Sequence, residues 1–426
     1  MDSFSKRILE DDSLTFAEKI LNVKSVNRTA LKAGDIAVVK VDMALAQDST
    51  GPLAIKVFNE MGLKKVFDPK RIFLYLDHTY PPADEKVANL HKMVRDFCRQ
   101  TGCTVIEGSI SHQTIMEEQI VPGTLLMGAD SHTNQAGALG AFATGIGSTE
   151  MAAIWASGKI WLRVPETLRV NVAGKFRKGV FGRDVIMRLI GQLGEDGANY
   201  KGLEWAGEAK SFSIDTRACI CNNSVECGAK NSVFEYDKIT ESYLKRVGRK
   251  PEMIIKSGKD AEYAKEMDID LNSLEPQVTL PEHVDRVKPL SEAEGVEVNE
   301  AFLGSTTNCR MEDLAIAAHM LKGRKVKPGT RLVITPSSRR VYLEAIMKGY
   351  VAIFMQAGAT FTNSTCGACV GTHMGVLGEN EVCISCSPRN YTGRMGALTA
   401  KVYLASPAAV VASAIEGRIA DPGKYL

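Results

Sequence analysis

Three of the seven histidines in this chain stand where an imidazole can do acid–base work. His78 and His132 each come behind an aspartate, in "LDHTY" (76–80) and "ADSHT" (129–133), and His112 lies in "SHQTI". A carboxylate beside an imidazole orients the ring and supports general acid chemistry. One such pair is as easily an ordinary polar loop. Three in similar settings shift the balance toward a site. A second group offers thiols. "TCGACVG" sets Cys366 and Cys369 at C-x-x-C spacing, which suits a metal ion, a dithiol redox pair, two ligands of an iron–sulfur cluster, or two structural cysteines. Zinc wants a second pair, and Cys383 and Cys386 have the spacing but lie on a strand-like run. A third group is cationic: "SPRNYTGR" places Arg389 and Arg394 in one loop. Paired guanidinium groups suit bidentate binding of carboxylates, and such a loop is equally compatible with plain solvated surface.

Side chains this far apart in sequence need a scaffold to bring them together. Strand-like runs alternate with helical ones: "GDIAVVKVD" (34–42), the helical "TGPLAIKVFNEMG" (50–62), "RIFLYLD" (71–77), the helical "EKVANLHKMVRDFCRQTG" (85–102) and "CTVIEG" (103–108). This order predicts α/β layers with largely parallel sheets. In such sheets ligands bind beyond the carboxyl ends of strands, and both "DHTY" and "ADSHT" follow strand-like runs. A second unit opens at "ETLRVNVAGKF" (166–176) and continues through the helical "GRDVIMRLIGQLG" (182–194). The charged, proline-bearing stretch 245–300 reads as surface and connection. A third unit opens at "NEAFLGS" and holds the cysteine and arginine motifs. The domains expected are therefore 1–165, 166–290 and 291–426. The glycine-rich "GALGAFATGIGSTEM" (137–151) lacks the acidic residue of a dinucleotide fingerprint and reads as close backbone packing.

At 426 residues, 45% hydrophobic and 24% charged, the chain has the composition of a globular protein of two or three domains. A net charge of +2 gives no electrostatic reason to expect nucleic acid or a membrane surface as partner. The N-terminal "MDSFSKRILEDDS" lacks the apolar core of a secretory signal, and ten cysteines without one argue against a disulfide scaffold. The expected location is the cytoplasm.

Taken in order, "DHTYP", "SHQ", "GADSHT", "GAFATGIGST", "NSTCGACVG" and "RNYTGR" resemble the large subunits of the aconitase superfamily, nearest to the 3-isopropylmalate dehydratase and homoaconitase types. The resemblance implies three α/β domains around a [4Fe–4S] cluster. It also implies a separate small subunit carrying the swivelling domain and the catalytic base, so that the isolated chain should have little activity. The implied chemistry is removal and re-addition of water on a 2-hydroxy di- or tricarboxylate, with one cluster iron as Lewis acid. Carried over by position, Cys366 and Cys369 match two cluster ligands. Asp77, His78, His112, Asp130 and His132 match the acid–histidine pairs that protonate and hold the leaving hydroxyl, with His132 as the expected donor. Glu226 in "NNSVECGAK" matches a carboxylate near the open iron, and Asn222 a cluster-side amide. Ser131, Arg389 and Arg394 match substrate-carboxylate contacts. Gln47 in "ALAQDSTGP" matches a glutamine of the true aconitases, where isopropylmalate enzymes more often carry histidine.

Two positions depart from the family pattern. Its turn reads G-S-C-T-N, and here "GSTTNCRMED" (304–313) has Thr306 in place of the third cysteine. Before the "RN" pair the family has asparagine, and here Pro388 stands there. Three readings follow. Cys309, one helical turn along, can replace the lost ligand and complete an exposed, oxygen-sensitive cluster, with Cys386 as another candidate. Alternatively Thr306 supplies an oxygen ligand. Or the cluster is gone and the pocket holds a divalent metal or nothing.

Overall fold

The computed structural model describes residues 2–426. Its first sheet has five strands in the order Thr104–Glu107, Ile72–Leu76, Met43–Gln47, Leu125–Gly128, Phe142–Gly145, all parallel. Successive strands run outward from Met43–Gln47 in one direction and then from Leu125–Gly128 in the other. The seam between these two central strands is therefore a topological switch point, where a crevice opens beyond the strand ends. Gln47, Asp77 and Asp130 all sit at that edge.

The run 34–42 does not enter this sheet as expected. Ile36–Lys40 pairs antiparallel with Lys159–Arg163 in a separate two-stranded ribbon, and the sheet strand begins after it, at Met43. The two runs differ in burial: Ile36–Lys40 alternates exposed and buried, whereas Ala44–Gln47 is buried throughout. Alternation marks a strand with one wet face, and a continuous buried run marks the centre of a parallel sheet.

A four-stranded parallel sheet follows, in the order Asn231–Val233, Gly202–Gly207, Thr167–Ala173, Lys265–Asp270. The third sheet has seven strands: Val287–Pro289, Gln277–Thr279, Lys401–Ala405, Val382–Ser385, Glu300–Leu303, Arg331–Ile334, Thr360–Phe361. The stretch 245–300 is thus more than connection. It supplies Lys265–Asp270 to the second sheet and Gln277–Thr279 and Val287–Pro289 to the third, so the third sheet takes in residues that the sequence reading grouped with the middle unit.

One apolar cluster joins Leu45 and Phe73 of the first sheet, Leu168 and Trp205 of the second, and Phe302 and Val333 of the third. The glycine-rich segment makes the close approach this requires. A Cβ on Gly137 would lie 1.7 Å from the Ser232 carbonyl oxygen, and one on Gly145 would lie 2.8 Å from that of Asp130. No helix among the described residues is long and apolar enough to cross a membrane.

Candidate active site

A cavity of about 350 Å³ opens at the switch point, lined by Gln47, Asp77, His78, His112, Asp130 and His132 from the N-terminal part of the chain and by Thr306, Cys366, Cys369, Arg389 and Arg394 from the C-terminal part. Residues spread over 347 positions of sequence thus meet in one place.

One wall is built on the end of Ile72–Leu76. His78 Nδ1 lies 2.8 Å from Asp77 Oδ1 and 3.2 Å from Asp48 Oδ1. Asp77 is fully buried, and its other oxygen accepts the Ser111 backbone N–H at 2.7 Å. Burial works against a charge on His78, but the Asp77 and Asp48 carboxylates outweigh it and hold the pKa well above the ordinary histidine value. Asp48 also accepts from the buried His91 at 3.0 Å. The cysteine turn is fastened to this strand end: Cys366 N–H donates to the Asp77 carbonyl (2.8 Å) and Gly367 N–H to that of His78 (3.2 Å). Burial, then Asp77 and Cys369 beside it, push the Cys366 thiol well above its usual pKa, so without a cation the sulfur keeps its proton.

The facing wall is a chain of ion pairs. His112 Nε2 meets Asp130 Oδ1 at 2.9 Å. His132 Nδ1 lies 3.4 Å from the same oxygen, and its Nε2 lies 2.9 Å from Glu226 Oε1. Arg389 Nε donates to Glu226 Oε2 at 3.0 Å, and Arg389 Nη2 to Ser131 Oγ at 3.0 Å. Burial would raise the pKa of both carboxylates. His112 and His132 pull Asp130 well below its ordinary value, and His132 and Arg389 pull Glu226 down. Glu226 comes from the turn that ends the helix Ile214–Asn223 and backs the cavity wall through its contacts with His132 and Arg389. Across it, Asp130 Oδ2 stands 4.0 Å from His78 Nε2.

Arg389 is therefore committed to Glu226 and Ser131, whereas Arg394 makes no ion pair among the described residues and its Nε has no partner. Gln47 donates to Ser111 Oγ at 2.8 Å, and its Oε1 is buried without a partner.

Thr306 lines the cavity from the turn after Glu300–Leu303. Its Oγ1 accepts from Asn222 Nδ2 at 2.9 Å, and that amide also reaches Gln135. Ser305 Oγ donates to Cys369 Sγ at 3.1 Å. The expected substitute ligand, Cys309, is not in the cavity. Residues 304–310 are not helical; the helix is Met311–Leu321, so one-turn spacing does not relate Thr306 to Cys309. Cys309 instead reverses the chain with φ +65° and is fully buried in the apolar core of the third sheet with Leu303, Leu314, Ile334 and Cys386. Cys386 is equally withdrawn, its sulfur bonded to the Gly304 N–H at 3.1 Å.

Several residues of the site were missed in the sequence. Asp48 follows a strand end as Asp77 does, and that rule finds it once Met43–Gln47 is seen as a strand. Arg310 leaves no such signal. It is buried, donates to Gln113 Oε1 (2.7 Å) and to the Thr306 carbonyl (3.1 Å), and also binds that of Thr307, so it fixes the turn that presents Thr306. His91 on a long helix reads as an ordinary core histidine.

The aconitase family model (aconitate hydratase) matches residues 18–295 and 291–417. The chain belongs to the aconitase family. It is 47% identical over 417 residues to 3-isopropylmalate dehydratase large subunit 2 of Archaeoglobus fulgidus, covering 97% of this chain and 99% of that protein. It is 43% identical over 418 residues to large subunit 1 from Methanopyrus kandleri, with the same coverage. The fold is also similar to the crystal structure of Thermococcus kodakaraensis aconitase X in its holo form, with a TM-score of 0.51 at 14% identity over 92% of this chain and 94% of that one.

The [4Fe–4S] cluster that the resemblance implies is held by three thiolates. Iron–sulfide cores are held by cysteine sulfur. This cavity presents two, Cys366 and Cys369, and at the third position a hydroxyl already engaged by Asn222. The donor set does not fit a three-cysteine cluster.

Proposed function

We propose that this chain is the large subunit of a hydro-lyase that moves water on a 2-hydroxy di- or tricarboxylate, with 3-isopropylmalate, homocitrate and citrate as candidates. The observation that carries this is the division of labour between the two arginines. Arg389 is tied into the Asp130–His132–Glu226 chain, and Arg394 is free to pair with a substrate carboxylate. A guanidinium offers two parallel donors to such a group. Gln47 Oε1, lacking a donor, can accept from a second polar group of the substrate.

Elimination of water needs a proton on the departing hydroxyl. His132 is hydrogen-bonded to Glu226, has the Asp130 carboxylate 3.4 Å from its other ring nitrogen, and stands on the wall facing Asp77 and His78, so the array Asp130–His132–Glu226 can hold a proton and pass it to an oxygen in the cavity. His112 steadies Asp130 from behind. The reaction also needs a base for the carbon-bound proton, and we infer that a small subunit supplies it. The relatives are named large subunits, and the cavity's own carboxylates and histidines are paired with one another.

The test is reconstitution with a candidate small subunit, following formation of the unsaturated acid from each hydroxy acid. Turnover of one of them by the pair, and little by the chain alone, is expected. No turnover of any 2-hydroxy di- or tricarboxylate by an assembled, metal-loaded pair would defeat the proposal.

A further inference from the structure

The mismatch between the cavity and a three-cysteine cluster raises the question of what the remaining donors can hold. Asp77, His78 and Cys366 each offer one ligand atom, and the three atoms lie within 4.8 Å of one another. We propose that this site takes a single divalent transition-metal ion on Asp77, His78 and Cys366, in place of an iron–sulfur cube; the inference rests on the hydro-lyase reading of the same cavity.

The three donors sit on two segments that the backbone already fastens together. Besides the bonds from Cys366 and Gly367, Thr365 Oγ donates to the Asp77 carbonyl at 2.9 Å. The sulfur is thereby held against the strand end that carries the other two ligands. An outer contact fixes the oxygen donor, with the Ser111 N–H on Asp77 Oδ2. Such partners orient ligands and are worth roughly 10–100-fold in metal affinity. Two carboxylates converging on one ring nitrogen form a pocket for positive charge. The metal would replace the proton that His78 Nδ1 shares with Asp77 and Asp48. Cys366 binds as the thiolate, so ion binding releases protons to solvent.

One imidazole, one carboxylate and one thiolate make a mixed donor set of intermediate softness, which suits Zn²⁺ or Fe²⁺ rather than Mg²⁺ or Ca²⁺. Three protein ligands leave a coordination position open for water or a substrate hydroxyl. Cys369 and Thr306 are not needed. Cys369 is occupied by Ser305, and Thr306 by Asn222.

This divides the two cysteines in a way a cluster would not. The experiment uses the full chain, stripped of metal and titrated anaerobically with Co²⁺ as a spectroscopic probe and with Zn²⁺ in competition, no sulfide and no substrate present. Expected are about one ion per chain and a sulfur-to-cobalt charge-transfer band. Cys366→Ser should abolish the band and weaken binding by more than about 10-fold, whereas Cys369→Ser and Thr306→Val should keep both. If Cys366→Ser does not fold, the band and stoichiometry of the unmodified chain decide, together with retention in Cys369→Ser. Anaerobically isolated protein with about four iron and four sulfide per chain would overturn the proposal, as would equal loss of binding in Cys366→Ser and Cys369→Ser. Because no turnover is read, failure here leaves the hydro-lyase reading standing, and metal binding without later turnover would count against that reading alone.

Discussion

The Glu226–Arg389 pair is the covalently distant contact on which the facing wall depends, and its strength can be worked from the structure. Arg389→Ala removes a guanidinium nitrogen 3.0 Å from Glu226 Oε2, where the carboxylate side chain is 3% exposed and the arginine 26%. At that separation, with an effective dielectric constant of about 20, the gross attraction is about 5 kcal/mol. Desolvation of both groups offsets much of it, and His132 stays on the other oxygen of Glu226, which leaves a net coupling of about 2 kcal/mol. The measurement is a double-mutant cycle by urea unfolding with Arg389→Ala, Glu226→Gln and both together. Arg389→Ala alone should be the more damaging, since it strands a buried carboxylate, and Glu226→Gln in the same chain should recover part of the loss. A coupling below about 0.5 kcal/mol, the scatter expected of independent sites, would show that the wall is not held by this pair.

Other consequences can be checked separately. His132→Ala in the assembled enzyme should lower kcat by about 10²–10⁴ with unchanged unfolding of the large subunit; an unaltered rate removes His132 from the proton path. Arg394→Gln should raise KM for a dicarboxylate by at least about 10-fold while leaving stability within about 0.5 kcal/mol, since this side chain has no ion pair to lose. Arg310→Met should destabilise the chain by about 3 kcal/mol, because it strips a buried guanidinium from two carbonyls and an amide, and Thr306→Ala at the same turn should cost much less. Glu300 opens the strand Glu300–Leu303 of the third sheet and is fully buried, and burial, only partly countered by Arg331, lifts its pKa from 4.5 to about 7. A carboxyl group raised on folding stabilises the fold below about pH 4.5 and loses that contribution as pH rises through 7, by up to about 3 kcal/mol. The unfolding midpoint of Glu300→Gln should accordingly fall less between pH 5 and 8 than that of the parent chain; a parallel fall would mean that Glu300 is ionised throughout.

Much of this protein is written locally. The strand runs 71–77, 103–108 and 166–176, the helices at 50–62, 85–102 and 182–194, and the parallel α/β layering follow from periodicity and turn residues that each act within a few positions. The rule that ligands gather past strand ends located Asp77, His78 and Asp130 for the same reason: each is adjacent in sequence to the strand that carries it. Two decisions were not local. Whether 34–42 or 43–47 joins the first sheet depends on which run is covered on both faces, and that is set by helices and sheets far along the chain. The fate of the cysteines is of the same kind. Sequence spacing made Cys309 the nearest thiol to the place vacated at Thr306, but a left-handed residue turns the chain there before the helix begins, and the apolar core of the third sheet takes the sulfur. Spacing along a chain measures reach. Which side of a sheet a side chain falls on is fixed only when the core that must be filled has formed.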